Sequence, residues 1–163
     1  MNQSPLDIRR AIAADLFVVA ALTTDAYAPY TAMLGAPPLP VTEDYAPRIA
    51  AGEVWLLLDG QAPIGALVLE TRADHVLIFS VAVAPARQGE GHGIRLLDWA
   101  ERQARAAGLD EMRLYTNARM TRNIRLYTAY GYIETGRRPN PRRPGWVIVD
   151  MSKRLGPAAP PGG

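Results

Sequence analysis

The chain contains no cysteine. Disulfides, thiolate nucleophiles and cysteine-based zinc sites are therefore excluded. Histidine is nearly as scarce: His75 and His92 are the two imidazoles. They are too few for a multi-histidine metal centre, so no metal is expected. No apolar run approaches the roughly 20 residues that a membrane span requires. Met1-Asn2-Gln3-Ser4-Pro5 has no basic region leading into an apolar one, so it does not read as a secretory leader, and the cytoplasm is the expected location. Charge imbalance is small as well, with a net charge of +2 and a pI of about 9.1. Apart from the arginines of 137–143 the basic residues are scattered, which gives no footprint for nucleic acid.

What is present is a core. In 163 residues, 48% hydrophobic, one domain can bury enough apolar surface to be stable. Residues 1–155 are expected to form that domain. Residues 156–163, made only of glycine, proline and alanine, are expected to be a loose tail.

The chain is organised around Val76 to Tyr132. Val76-Leu-Ile-Phe-Ser-Val-Ala-Val-Ala84 is almost continuously apolar and stops at Pro85. Lack of alternation predicts a strand covered on both faces. Ala86-Arg-Gln-Gly-Glu-Gly-His-Gly93 follows, and a helical pattern starts at Ile94. A buried strand, a glycine-rich turn and a helix N-terminus together present unpaired amides and the positive end of a helix dipole, a natural seat for phosphate. The P-loop pattern fails, because Ile94 and Arg95 follow Gly93 where lysine and a hydroxyl are needed. The dinucleotide pattern fails too, since Ile94 stands where a third small residue is required. Gln88, Gly91 and Gly93 satisfy a third pattern, Gln/Arg-x-x-Gly-x-Gly/Ala. A second motif lies downstream in Asn123-Ile-Arg-Leu-Tyr127-Thr-Ala-Tyr130-Gly131-Tyr132.

In these two motifs, in this order, the chain resembles the GNAT superfamily of N-acetyltransferases. The resemblance spans roughly Pro5 to Leu155 and is most specific between Val81 and Tyr132. It implies an α+β fold with one mixed, mostly antiparallel sheet of about seven strands flanked by about four helices. It implies acetyl-CoA as co-substrate, held at the pyrophosphate by Gln88, Gly89, Glu90, Gly91, His92, Gly93 and Ile94, and along the pantetheine arm by the backbone of Val81, Ala82 and Val83. It implies Tyr127 as the general acid, with Tyr130 and Tyr115 as nearby rivals. An asparagine of the family bonds the coenzyme, which here is Asn123 or Asn117. The reaction so implied moves an acetyl group from acetyl-CoA to a primary amine by direct attack in a ternary complex. The alternative is a non-catalytic acyl-CoA sensor. Homodimers are common among such proteins, so a homodimer is one expectation.

The remaining elements follow from local signals. Leu6–Arg9 reads as a strand, and Ala11–Ala28 as a helix that Pro29 ends, with Asp15 an alternative cap. Thr42 is expected to cap a short second helix beginning Thr42-Glu-Asp-Tyr45. Glu53–Leu58 and Ala62–Glu70 form a hairpin across Asp59-Gly60. On the helix after the glycine loop, Leu97, Ala100, Ala104 and Ala107 line one face, and Arg95, Glu101, Arg102 and Arg105 project into solvent. Met112–Thr116, Tyr132–Thr135 and Trp146–Val149 are the closing strands. Tyr27, Tyr30 and Tyr45 either touch the acceptor or pack a helix hairpin. Arg137-Arg-Pro-Asn-Pro-Arg-Arg143 is a solvated loop or an anion trap. Glu70, Asp74, His75 and Glu134 are conceivable bases with nothing to choose between them, and His92 is expected against phosphate or solvent.

Overall fold

The structure, a computed structural model, describes residues 5–157. Residues 158–163 of the expected tail and residues 1–4 of the N-terminus lie outside them. Among the described residues the elements are β1 (Leu6–Arg10), α1 (Leu16–Leu34), α2 (Leu39–Thr42), α3 (Tyr45–Ala50), β2 (Val54–Asp59), β3 (Ala62–Thr71), β4 (Val76–Val83), α4 (His92–Ala106), β5 (Glu111–Asn117), α5 (Thr121–Tyr130), β6 (Ile133–Pro139) and β7 (Val147–Arg154). Single 3-10 turns occupy Ala13–Asp15 and Pro85–Arg87. The strands form one seven-stranded sheet in the order β1-β2-β3-β4-β5-β7-β6. It is mixed: β4 and β5 run parallel, whereas β1–β2, β2–β3, β5–β7 and β6–β7 are antiparallel. The expected α+β class and strand number hold, with five α-helices among the described residues rather than about four.

The residues divide into two compact units. The first takes in residues up to Glu70 together with Phe79–Asp98. Its core joins Val54, Leu56 and Leu58 of β2, Ala66 and Val68 of β3 and Phe79 of β4 to Val19 and Leu22 of α1 and to Tyr45 and Ile49 of α3. Alternate residues of β2 and β3 form the face that meets the helical spacing of α1 and α3, while Leu57 and Leu67 between them are buried as well.

Three expectations fail in this unit. Pro29 does not end α1; the helix continues to Leu34 and stops at Gly35, whose φ is +78°. Proline in a helix interior costs about 3 kcal/mol through a lost hydrogen bond and a clash with the preceding turn. Tyr27 and Leu34, buried on either side of it, offset that, since each such side chain contributes about 2 kcal/mol on burial. Thr42 caps nothing; its hydroxyl donates to the Leu39 carbonyl. Asp44 is the N-cap of α3, accepting from the Ala46 amide at 3.1 Å. Asp15 makes no side-chain cap on α1 either. The intervening 3-10 turn aims its carboxylate back at the Ile12 amide, 2.8 Å away, and at Arg9.

The second unit holds Thr71–Ile78 and residues from Trp99 onward. Here the parallel ladder pairs Val76, Leu77 and Ile78 with Met112, Arg113 and Leu114. β5 pairs along its whole length with β7, from Glu111↔Arg154 to Asn117↔Ile148. Two corrections arise. β6 does not end at Thr135 but runs on through Arg137 and Arg138, with a register shift between Glu134 and Gly136. Cross-strand pairing explains the extension, for Arg138 forks onto Asp150 of β7 at 2.9 and 3.1 Å. Glu101 is not on a solvated face: it is buried, bonded to Lys153, while Ala107 at the end of the expected apolar face is exposed.

Candidate functional site

The glycine loop belongs to the first unit, and its shape is set by backbone requirements. Ala84 donates its amide to the Ile64 carbonyl at 2.8 Å, holding the end of β4 against β3. Gly65 lets this happen: a Cβ there would come within 3.2 Å of both the Ala82 carbonyl and Leu96. Pro85–Arg87 then make one 3-10 turn, closed by the Arg87 amide on the Ala84 carbonyl. The Gln88 side chain donates back to the Val83 carbonyl. Gly89 and Gly91 adopt φ of +82° and +86°, which favours residues without a Cβ. At either position a Cβ would meet no atom within 4 Å, so the loop is open there. α4 begins at His92, and its first hydrogen bond runs from the Arg95 amide to the Gly91 carbonyl. Amides of the first turn have no carbonyl four residues back, so they face outward from the helix start. Open space, positive-φ glycines and a helix start fit the diphosphate of a coenzyme A thioester.

Charge around this loop is arranged in a way the motifs did not reveal. Arg87 bridges Asp59 at 2.9 Å and Glu90 at 3.1 Å. These hydrogen bonds, to Asp59 first and then to Glu90, hold the guanidinium more firmly protonated than usual. Glu90, the acidic residue of the motif, is held below the usual carboxylate range by Arg87 and then by His92. Its negative charge is thus partly neutralised where a phosphate would approach. His92 is not turned to solvent, one of the two surroundings expected for it. It is 5% exposed; Nε2 lies 3.2 Å from Glu90, and the buried Nδ1 has no hydrogen-bond partner among the described residues. The sequence signal for Arg87 was its place one residue before the motif, which alone did not single it out.

Val81, Ala82 and Val83 close β4, beyond the residues of its ladder with β5. Ala82 is buried, and Val81 and Val83 are half-buried. From α1 the buried Tyr27 hydroxyl donates to the Val81 carbonyl at 3.4 Å and lies 3.5 Å from Ser80 Oγ. Tyr45 is buried too, its hydroxyl on the Pro40 carbonyl at 2.6 Å. Those two tyrosines pack the helices; Tyr30 is half-buried with its ring centroid 6.4 Å from that of Tyr27.

The second motif lies in the second unit. Tyr127 is buried on α5, its ring centroid 6.0 Å from that of Tyr132 in an edge-on arrangement. Asn123, one turn earlier, is half-buried. Asn117 is a turn former, its side-chain oxygen accepting from the Arg119 amide at 2.8 Å. Tyr115 and Tyr130 lie under cations, Arg138 at 5.7 Å and Lys153 at 4.1 Å from their ring centroids. Each carboxylate considered as a base is ion-paired: Glu70 with Arg48, Asp74 with His75 and Arg113, Glu134 with Arg137. His75, and more weakly Arg113, draws Asp74 below its ordinary range, and Arg137 does the same to Glu134. Both shifts run against the raised value that a general base at neutral pH needs. The arginine-rich stretch is not simply a loop: Arg137 and Arg138 are strand residues with acidic partners, and Arg143 lies over Trp146.

Comparison with known proteins bears on this geometry directly. No curated sequence matches the chain. Solved structures do resemble it. The ribosomal-protein-S18-alanine N-acetyltransferase from Escherichia coli is 20% identical over 98% of this chain and 99% of that one, with a TM-score of 0.72. PaiA N-acetyltransferase from Thermoplasma acidophilum, in complex with coenzyme A, is 17% identical over 93% and 99%, with a TM-score of 0.76. N-acetylglutamate synthase from Neisseria gonorrhoeae, complexed with coenzyme A and N-acetyl-glutamate, is 22% identical over 96% of this chain and 36% of that one, at 0.71. At such identities the likeness establishes the fold. The sequence itself carries the rest, for residues 19–132, from the first turn of α1 through both motifs, match the model of the acetyltransferase (GNAT) family, and the chain belongs to that family.

Proposed function

We propose that the protein is a cytoplasmic N-acetyltransferase that moves an acetyl group from acetyl-CoA to a primary amine by direct attack in a ternary complex. The observation that carries this reading is the Gln88–Ile94 loop, two of whose glycines sit at positive φ in open space ahead of the helix start. Amides at such a start attract a diphosphate. The loop from Gln88 to Ile94 would hold the pyrophosphate. The backbone of Val81, Ala82 and Val83 would hold the pantetheine arm, and Asn123 would add a polar contact.

In the reaction the amine nitrogen forms a bond to the thioester carbonyl carbon. The carbon–sulfur bond then breaks, the ammonium proton goes to solvent or a base, and the sulfur gains a proton. Tyr127 is the donor of that last proton in this reading. A phenol has a reference pKa of about 10 and a thiol about 8.5, so the phenol remains protonated at neutral pH while the thiolate develops. No base is assigned.

The test is release of free CoA from acetyl-CoA with a panel of amines: spermidine, lysine, phenethylamine and an alanyl peptide. Turnover with at least one amine is expected, and Tyr127→Phe should slow it about 100-fold while leaving acetyl-CoA binding intact. Binding of acetyl-CoA without turnover of any amine would instead favour a non-catalytic sensor.

A further inference from the structure

Lys153 is the sole lysine among the chain's 18 lysine and arginine residues. It is also placed unusually. Its Nζ lies 2.5 Å from Oε1 of the buried Glu101 and 4.1 Å from the centroid of the Tyr130 ring. Its stem runs against Gly131, where a Cβ would come within 3.1 Å of Lys153 Cε. Gly131 ends α5 at φ +114°. A cation is therefore seated at the C-terminal end of α5, where the helix dipole favours positive charge. The space accepts a point cation that touches one carboxylate and one ring face. A guanidinium is a planar fork that needs wider room and paired acceptors.

What Lys153 clamps leads back to Tyr127. The Tyr130 ring stacks on the Tyr132 ring, with centroids 6.4 Å apart and planes 22° apart. Tyr132 in turn meets Tyr127 edge-on at 6.0 Å. The Tyr132 amide donates to the Tyr127 carbonyl at 2.9 Å, so backbone and rings are coupled at the same turn. Tyr132 is 1% exposed, so its ring has no freedom to swing out. We infer that Lys153 and Glu101 form a positioning pair: by pinning Tyr130 and the end of α5, they fix where the Tyr127 hydroxyl points. This rests on the reading of Tyr127 as the proton donor. Lys153 acts through the aromatic stack and not on the substrate.

The experiment is a double-mutant cycle. Lys153→Met, Lys153→Arg and Glu101→Gln are made in the wild-type and Tyr127→Phe backgrounds. Each is assayed with the panel amine of highest turnover, well below its melting temperature. Lys153→Met should lower kcat by about tenfold or more, because displacement of a reacting group by about 1 Å is costly. Acetyl-CoA affinity, read by calorimetry, should change less than about twofold, and Lys153→Arg should not restore kcat. In the Tyr127→Phe background Lys153→Met should change kcat by less than about twofold, since the two residues act as one unit. Glu101→Gln, the milder change, should show the same coupling if Lys153→Met folds poorly. An equal slowing in both backgrounds, or an unaltered kcat in Lys153→Met, would overturn the positioning role alone. A Tyr127→Phe enzyme as fast as wild type would overturn the acid assignment and the positioning role with it. Absence of turnover with every amine would overturn the functional reading underneath both.

Discussion

The side-chain amide of Gln88 donates to the main-chain carbonyl of Val83 at 3.2 Å, tying the glycine loop back to the strand it leaves. Gln88 thus shapes the loop through the protein's own backbone. Gln88→Ala should weaken acetyl-CoA binding about fivefold, the equivalent of one hydrogen bond of about 1 kcal/mol. Gln88→Arg keeps a donor and should retain most of the affinity. Isothermal titration with acetyl-CoA measures both, and an unchanged affinity in Gln88→Ala would show that the tether is dispensable.

Gly91 has open space around its α-carbon but a φ of +86°. Any penalty for substitution there comes from the backbone and not from a clash within the protein. Left-handed backbone costs an ordinary residue about 1–2 kcal/mol, less for asparagine. Gly91→Val should abolish the rise in melting temperature that acetyl-CoA produces. Gly91→Asn should fold better than Gly91→Val yet still bind poorly, because its side chain occupies the space above the loop.

Asp15 accepts from the Ile12 amide and pairs with Arg9 at 2.8 Å. The Arg9 hydrogen bond, helped by the Ile12 amide, lowers its pKa from 3.8. A carboxyl lowered on folding stabilises the protein at every pH above its unfolded value and loses that contribution as pH falls through the folded value. Asp15→Asn should therefore cost about 1 kcal/mol at pH 7. The difference from wild type should shrink below pH 3.8. Urea unfolding of both proteins at pH 7 and pH 3 checks this; a gap that widens in acid would contradict it.

The Tyr132 hydroxyl is buried without a hydrogen-bond partner among the described residues, and burial, with the nearby Glu101 charge, raises its pKa. An orphaned buried hydroxyl costs about 1–3 kcal/mol, whereas removing it outright can be neutral or better. Tyr132→Phe should keep or raise stability, by up to about 3 °C in melting temperature. Calorimetry measures the change, and a clear drop would mean the hydroxyl has a partner.

Much of the fold could be read from the residues in order. Val76–Val83, almost continuously apolar, is a strand whose residues are mostly buried, and the chain turns at Gly60-Gln61, one residue on from the Asp59-Gly60 signal, with Asp59 still paired to Ala62. Gly108 and Gly131 end their helices at positive φ, as glycines placed after helical runs should. The glycine loop was legible because its chemistry is local: φ preference and helix start depend on neighbours a few residues away. Asn117 could be placed only once its turn was seen, since its amide serves the Arg119 backbone.

The helix through Pro29 was not legible. Local stereochemistry argues for a stop there, and only the burial of Tyr27 and Leu34 in the fold reverses it. Glu101 looked solvated because its partner, Lys153, is 52 residues away. Arg87 looked ordinary because Asp59 reaches it from another strand end. Strands, turns and the phosphate-seeking loop arise from forces that act within a few residues and are written into residue order. Which charge meets which, and which ring is held against Tyr127, depend on neighbours that only chain folding brings together, so those were decided by tertiary packing.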